Sequence, residues 1–278
     1  MEHMEFTRKK DYLVCVDSDG CAMDTMDIKH FRCFGPCMVE EWGLEEWRDD
    51  ILHRWNQVNL FSMTRGINRF KALAILLSEI DGSYKEIPGV EDFVKWTEDS
   101  DELSNAALLR VSQQTGSSCL RKALHWSQNV NRRIEELPES VKVPFDGVKE
   151  GLAFVHGYAD IAIVSSANPD AVEAEWGLHG LMEHVDIMLA QNAGSKAHCI
   201  GKLLEYGYET DHVMMVGDAP GDLKAAEKNH VFFYPVLVSH ERESWNGIKE
   251  AVERLTKGAF DEEYQKQVIE AFEHNLKE

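Results

Sequence analysis

The sequence predicts an α/β fold: a mainly parallel sheet with helices on both faces, interrupted near its start by a mostly helical segment. Three observations predict it. The apolar runs Tyr12 to Val16, Asp160 to Val164 and Val213 to Val216 have the length and composition of buried strands. Strand and helix signals alternate after Asp146, which is the pattern of parallel strands joined by helical crossovers. Residues 24–144 break that alternation and carry helical periodicity instead.

The first strand runs into Asp17-Ser18-Asp19-Gly20. Side chains of an extended chain alternate, so Asp17 and Asp19 project the same way from its carboxyl end. Two carboxylates that close raise each other's pKa unless a cation lies between them. The arrangement suits one as nucleophile, the other as proton donor, and a hard metal ion holding both. A solvated strand end followed by an Asp-Gly turn is the competing reading.

The inserted segment follows. Phe70, Leu73, Ala74, Leu77 and Ile80 form one apolar helical stripe, and five of the seven tryptophans (Trp42, Trp47, Trp55, Trp96, Trp126) fall in this segment. That density predicts a packed helical core, with a substrate-stacking surface as the lesser alternative. Arg65 and Arg69 lie one helical turn apart, so both guanidinium groups can face a single anion. Gly66 and Asn68 weaken the helix between them, and two solvated arginines are the alternative. Asp24 and the stretch 138–147 are expected to form the two hinges.

The second strand ends in Ser165-Ser166-Ala167-Asn168-Pro169-Asp170, with Asp170 able to cap a following helix. Small hydroxyls and free N–H groups at such a junction can hold a phosphate oxygen or can simply cap. Gly194-Ser195-Lys196 opens another helix, with Ile200, Leu203 and Leu204 at core spacing. A lysine there opposes the helix dipole. The third run delivers Asp218 into a loop made turn-prone by Pro220 and Gly221, and Asp222 starts the next helix. Oxygen ligands at a strand end are what a magnesium site needs, although Asp222 alone also suits an N-cap. Val231 to Val238 reads as a further strand interrupted by Pro235, and Tyr264, Val268, Ala271 and Phe272 stripe a terminal helix that packs on the core, with a dimer surface as the lesser alternative.

Composition narrows the function classes. A net charge of -20 over 278 residues disfavours nucleic acid and anionic membrane as partners. No apolar run approaches the ~20 residues of a membrane helix. The first ten residues lack the apolar stretch and cleavage site of a signal peptide, so a cytoplasmic location is expected. The six cysteines are scattered without zinc spacing, consistent with reduced thiols.

Taken in order, Asp17-Ser18-Asp19-Gly20, Ser165 after its strand, Lys196, and Gly217-Asp218 with Asp222 resemble the four short motifs of the haloacid dehalogenase superfamily. Two positions depart from the usual pattern: Cys21 stands where threonine is common, and Ala197 where proline is. The resemblance implies a Rossmann-like catalytic core of residues 1–23 and 145–278, with residues 24–144 as a helical cap that closes over the site. It implies Asp17 as nucleophile and Asp19 as acid and base. Ser165 and Lys196 would stabilise the transferring group, and Ser166, Asn168, Arg65 and Arg69 would bind substrate. Mg2+ would be held by Asp17, Asp19, Asp218 and Asp222. Members that cleave carbon–halogen or phosphonate bonds lack the second aspartate, so Asp19 points to phosphoryl transfer. The expected function is hydrolysis of a small phosphorylated metabolite through an aspartyl phosphate, by a monomer or homodimer. A phosphomutase acting on a sugar phosphate, or a catalytically silent binding protein, are the rival readings.

Overall fold

The computed structural model describes residues 6–277. Residues 1–5, half of the stretch expected to carry no signal peptide, lie outside the described residues. Five parallel strands form one sheet in the order β3-β2-β1-β4-β5, with β1 Tyr12–Val16, β2 Ala159–Val164, β3 Ile187–Leu189, β4 Val213–Gly217 and β5 Phe232–Pro235. All six residues of β2 are buried, as expected of a strand covered on both faces. The short β3 has no counterpart in the sequence reading. β5 stops at Pro235 instead of running to Val238; the next residue's N–H, from Val236, goes to the Gly217 carbonyl.

Alternation along β1 feeds two cores. Val14 and Val16 join Ile161, Ile163, Met214 and Val216 under the helices Val148–His156, Pro169–Leu178 and Glu241–Thr256. Leu13 and Cys15 join Ala162, Val164 and Met215 under Lys196–Leu204, Pro220–Lys228 and Glu262–Asn275. The terminal helix packs through Phe272, which is fully buried, and Leu276; Ala271 of the expected stripe is exposed. Each fully buried aliphatic or aromatic side chain contributes about 1.5–3 kcal/mol, so this double-faced burial holds the sheet.

The chain divides into two compact units, one running to Met26 and resuming at Glu139, the other Asp27–Pro138. Residues 24–26 and 139–144 therefore group with the sheet, although the sequence assigns them to the inserted segment. The reason is a pairing between the two connecting stretches: Asp24 donates its N–H to the Val143 carbonyl at 2.8 Å, and Met23 pairs with Pro144.

The unit Asp27–Pro138 is all helical among its described elements. Its core is aromatic: Trp55 and Trp126 meet edge to face at 5.9 Å, and Phe70 and Trp96 at 5.3 Å. Trp42 is also buried, but Trp47 is only half-buried. The stripe Phe70, Leu73, Ala74, Leu77 and Ile80 is entirely buried on the helix Arg69–Ile80. A single π-helical turn, His30–Phe34, precedes the helix Gly35–Trp42, with the Gly35 N–H bonded to the His30 carbonyl. Pro36 has no N–H to offer to the preceding turn, which favours that irregularity. No described helix is long and apolar enough to cross a membrane.

Candidate active site

β1 lies between β2 and β4, so the loops leaving those three strands meet at the carboxyl edge where the strand order turns outward. Ligands of open parallel sheets bind at such a switch point. Asp17 follows β1 directly and donates its N–H to the Val216 carbonyl of β4. The loop then folds on itself: the Ser18 carbonyl accepts from Cys21, Ala22 and Met23, and Gly20 takes a φ of 80° that a side chain would resist. Two tryptophans pin this loop from the core. Trp176 Nε1 donates to Ser18 Oγ at 2.9 Å, and Trp245 Nε1 to the Cys21 carbonyl at 2.9 Å.

Lys196, in the first turn of its helix, reaches Asp17 Oδ2 and Asp222 Oδ1, each at 2.5 Å. The unfavourable dipole position is thus offset by two carboxylates. Burial opposes the lysine's charge, but Asp17 and Asp222 override it and hold the ammonium above its ordinary pKa. The Asp17 carboxyl also shifts upward, but for it the rise disfavours the charged form. Burial raises its carboxyl to about 6, with Lys196 pulling it back down and Asp222 adding to the rise. Burial also raises Asp222, against the pull of Lys196 and with the repulsion of Asp218.

One carboxylate oxygen from each of Asp17, Asp218 and Asp222 lies within 4.8 Å of the others, and all three residues are buried. Three hard oxygen donors packed this closely, with one ammonium against three negative charges, fit a divalent cation. Asp222 Oδ1 accepts from Lys196 and Oδ2 from the Ala219 N–H at 3.1 Å, just as Asp17 Oδ2 meets Lys196 and its Oδ1 accepts the Ser18 N–H at 2.7 Å. Gly217 makes this packing possible, since a Cβ there would fall 2.4 Å from the Asp222 side chain.

Asp19 is half-buried, and its Oδ1 accepts from Thr25 Oγ1 at 2.6 Å. Ser165 is buried at the end of β2; its Oγ accepts the Ala167 N–H at 3.2 Å, which leaves its hydroxyl proton able to donate elsewhere. Ser166 and Asn168 are exposed. Asn168 Oδ1 caps the helix Pro169–Leu178, accepting from Asp170 and Ala171, so the cap expected at Asp170 sits two residues earlier. Cys21 is buried and its thiol is pushed well up, first by burial and then by the surrounding aspartates.

Arg65 and Arg69 do not share a helical face. Gly66 adopts a φ of 70°, Asn68 caps, and the helix begins only at Arg69. Arg65 is buried and donates to the Leu60 carbonyl at 2.8 Å. Arg69 donates to Ser127 and Asn131. An open acidic groove of about 650 Å³ in the same unit, lined by Asp81, Glu91, Glu98 and Asp99 among others, holds none of the motif residues. Its charge disfavours a phosphorylated ligand.

The sequence reading missed Thr25, Trp176, the bond that Ser18 of the first motif accepts, and the steric need for Gly217. Thr25 carries a faint signal, a hydroxyl six residues after Asp19. Trp176 carries none, since its partner is 158 positions away.

The sequence profile of the haloacid dehalogenase-like hydrolases matches residues 89–236, just over half of the chain. No curated protein matches. Among solved structures, the fold is similar to a Lactobacillus delbrueckii subsp. bulgaricus protein provisionally named phosphoglycolate phosphatase, with TM-score 0.56 and 14% identity over 88% of this chain and 99% of that one. It is also similar to a haloacid dehalogenase-like family hydrolase from Xanthomonas campestris, with TM-score 0.54 and 13% identity over 91% of this chain and 97% of that one. The chain belongs to the haloacid dehalogenase-like hydrolase family.

Proposed function

We propose that this hydrolase is a magnesium-dependent phosphatase acting on a small phosphorylated metabolite, with Asp17 as the nucleophile. One observation carries the reading: the Lys196 ammonium bridges Asp17 and Asp222, with the Asp218 carboxylate alongside. The profile match begins after Asp17-Ser18-Asp19-Gly20, so these ion pairs are what tie the first motif to the matched part of the chain.

Asp17 attacks phosphorus in line, the bond to the leaving oxygen breaks, and Asp19 protonates that oxygen. Asp19 then takes a proton from water as the water attacks the aspartyl phosphate, which releases inorganic phosphate and restores both carboxyl groups. The Thr25 hydroxyl orients Asp19 by its bond to Oδ1. Lys196 neutralises charge that builds on Asp17 and the phosphoryl oxygens. The Ser165 hydroxyl and the N–H groups around Ser166 hold those oxygens, with Asn168 fixing the loop through its cap. Asp17, Asp218 and the Asp19 carbonyl would hold Mg2+, with Asp222 in support. Bound there, the ion supplies positive charge to the phosphoryl group.

The second carboxylate at Asp19 favours phosphate esters over haloacids, because an alkoxide needs a proton on departure and a halide does not. Purified protein with Mg2+ is expected to release inorganic phosphate from members of a phosphorylated-metabolite panel, and the provisional name of one structural neighbour puts phosphoglycolate on it. Chelation should stop the release. Phosphate release that survives in Asp17→Asn would refute the assignment.

A further inference from the structure

Among the described residues, arginines commonly meet carboxylates: Arg54 pairs with Glu79, Arg110 with Glu102 and Arg133 with Glu40. Arg69 meets none. Its polar contacts all come from Nη1, which donates to Ser127 Oγ at 3.2 Å and Asn131 Oδ1 at 2.6 Å, both neutral. Nε and Nη2, the edge that matches a carboxylate's two oxygens, have no acceptor among the described residues. The guanidinium carbon lies 4.9 Å from the centre of the Phe34 ring, which is itself set by the π-helical turn.

Three unfavourable circumstances converge on this side chain. Burial pulls its pKa down to about 10, although part of it still reaches solvent. It stands at the first position of a 12-residue helix, where the dipole disfavours a cation. Among the described residues no counter-charge faces it, in a chain of net charge -20. A carboxylate on the Nε–Nη2 edge offsets all three, and its single planar charge matches the one guanidinium. A phosphate dianion would leave charge uncompensated in a desolvated place.

We propose that Arg69 anchors a carboxylate-binding site in the unit Asp27–Pro138. Ser127 and Asn131 hold Nη1 so that the remaining edge is presented in a fixed orientation, and the ligand is a carboxylate-bearing metabolite. That carboxylate belongs either to the substrate of the phosphatase reaction, which rests on the reading above, or to a separate effector.

Acetate is the probe, titrated into the full chain without metal at constant ionic strength. Phe34 lies 6.3 Å from Trp55 and 6.1 Å from Trp126, ring centre to ring centre, so occupation is read by tryptophan emission. The wild type should respond saturably and Arg69→Gln should not. Asn131 is exposed, so Asn131→Asp should fold normally. It places a permanent carboxylate beside the guanidinium and should weaken acetate at least tenfold. No saturable response, or the same response in all three proteins, overturns the site. These titrations do not depend on phosphatase activity. In the kinetic arm, kcat/KM for a carboxylate-bearing phosphate ester is divided by that for p-nitrophenyl phosphate. A tenfold fall of this ratio in both variants, carried by KM, assigns the carboxylate to the substrate. A constant ratio, with acetate changing the wild-type rate alone, assigns it to an effector. Acetate binding that alters neither quantity would overturn the site's role.

Discussion

Lys196 is the side chain on which the electrostatics of the site turn, because among the described residues it alone bridges Asp17 and Asp222. Lys196→Met leaves two buried carboxylates facing each other. The expected loss is about 3–5 kcal/mol of stability at neutral pH, together with a fall in kcat on the order of a hundredfold. Melting at pH 5 and pH 8 checks the first part. With the ammonium gone, both carboxyls rise further, so the penalty is small in acid and grows as pH increases. The wild type carries a milder version of the same linkage. Burial raises folded Asp17 from its ordinary 3.8 to about 6. The stability this group contributes is therefore present in acid and lost as pH rises through about 6. A divalent cation relieves the repulsion only when the carboxyl is ionised. Mg2+ should thus raise the melting temperature more at pH 8 than at pH 5, and an equal shift at both would show that Asp17 is not a ligand.

At the scale of elements, the strand ends must be held to fractions of an ångström, and Gly217 at the end of β4 leaves no room for a side chain. Gly217→Ala sets a Cβ 2.4 Å from Asp222. The overpacking should cost about 1–3 kcal/mol and displace Asp222 from Lys196, so kcat should fall with stability in denaturant titrations and steady-state assays. Trp176→Phe removes the donor to Ser18 and should cost about 1 kcal/mol, with a several-fold lower kcat. β1, β2 and β4 were legible because long apolar runs bounded by acid or glycine have few other readings, and the motif residues follow them at fixed offsets. Ile187–Leu189 was not, since three residues are too few to show any period. The Arg65–Arg69 spacing misled because periodicity assumes an unbroken helix. Gly66, in a left-handed conformation, and the Asn68 cap break it, although both residues were visible as local weaknesses. The Trp176 and Trp245 contacts to the loop after Asp17 arise only from the folding of distant segments and leave no local trace.

At the scale of the whole molecule, the net charge of -20 opposes the approach of a phosphorylated substrate. Screening shortens that repulsion to about 10 Å at 0.1 M salt. Apparent KM at fixed Mg2+ should therefore fall as ionic strength rises from low values; a rise would mean that local cations dominate capture. As the proposed nucleophile, Asp17 must carry a phosphoryl group during turnover, and acid-quenching the protein while it turns over p-nitrophenyl phosphate with Mg2+ tests this most directly. Peptide mass spectrometry should then find one phosphoryl group on the peptide bearing Asp17, at the Asp17 side chain, and none in Asp17→Asn. Steady turnover with the label on another residue, or undiminished turnover by Asp17→Asn, would contradict the account.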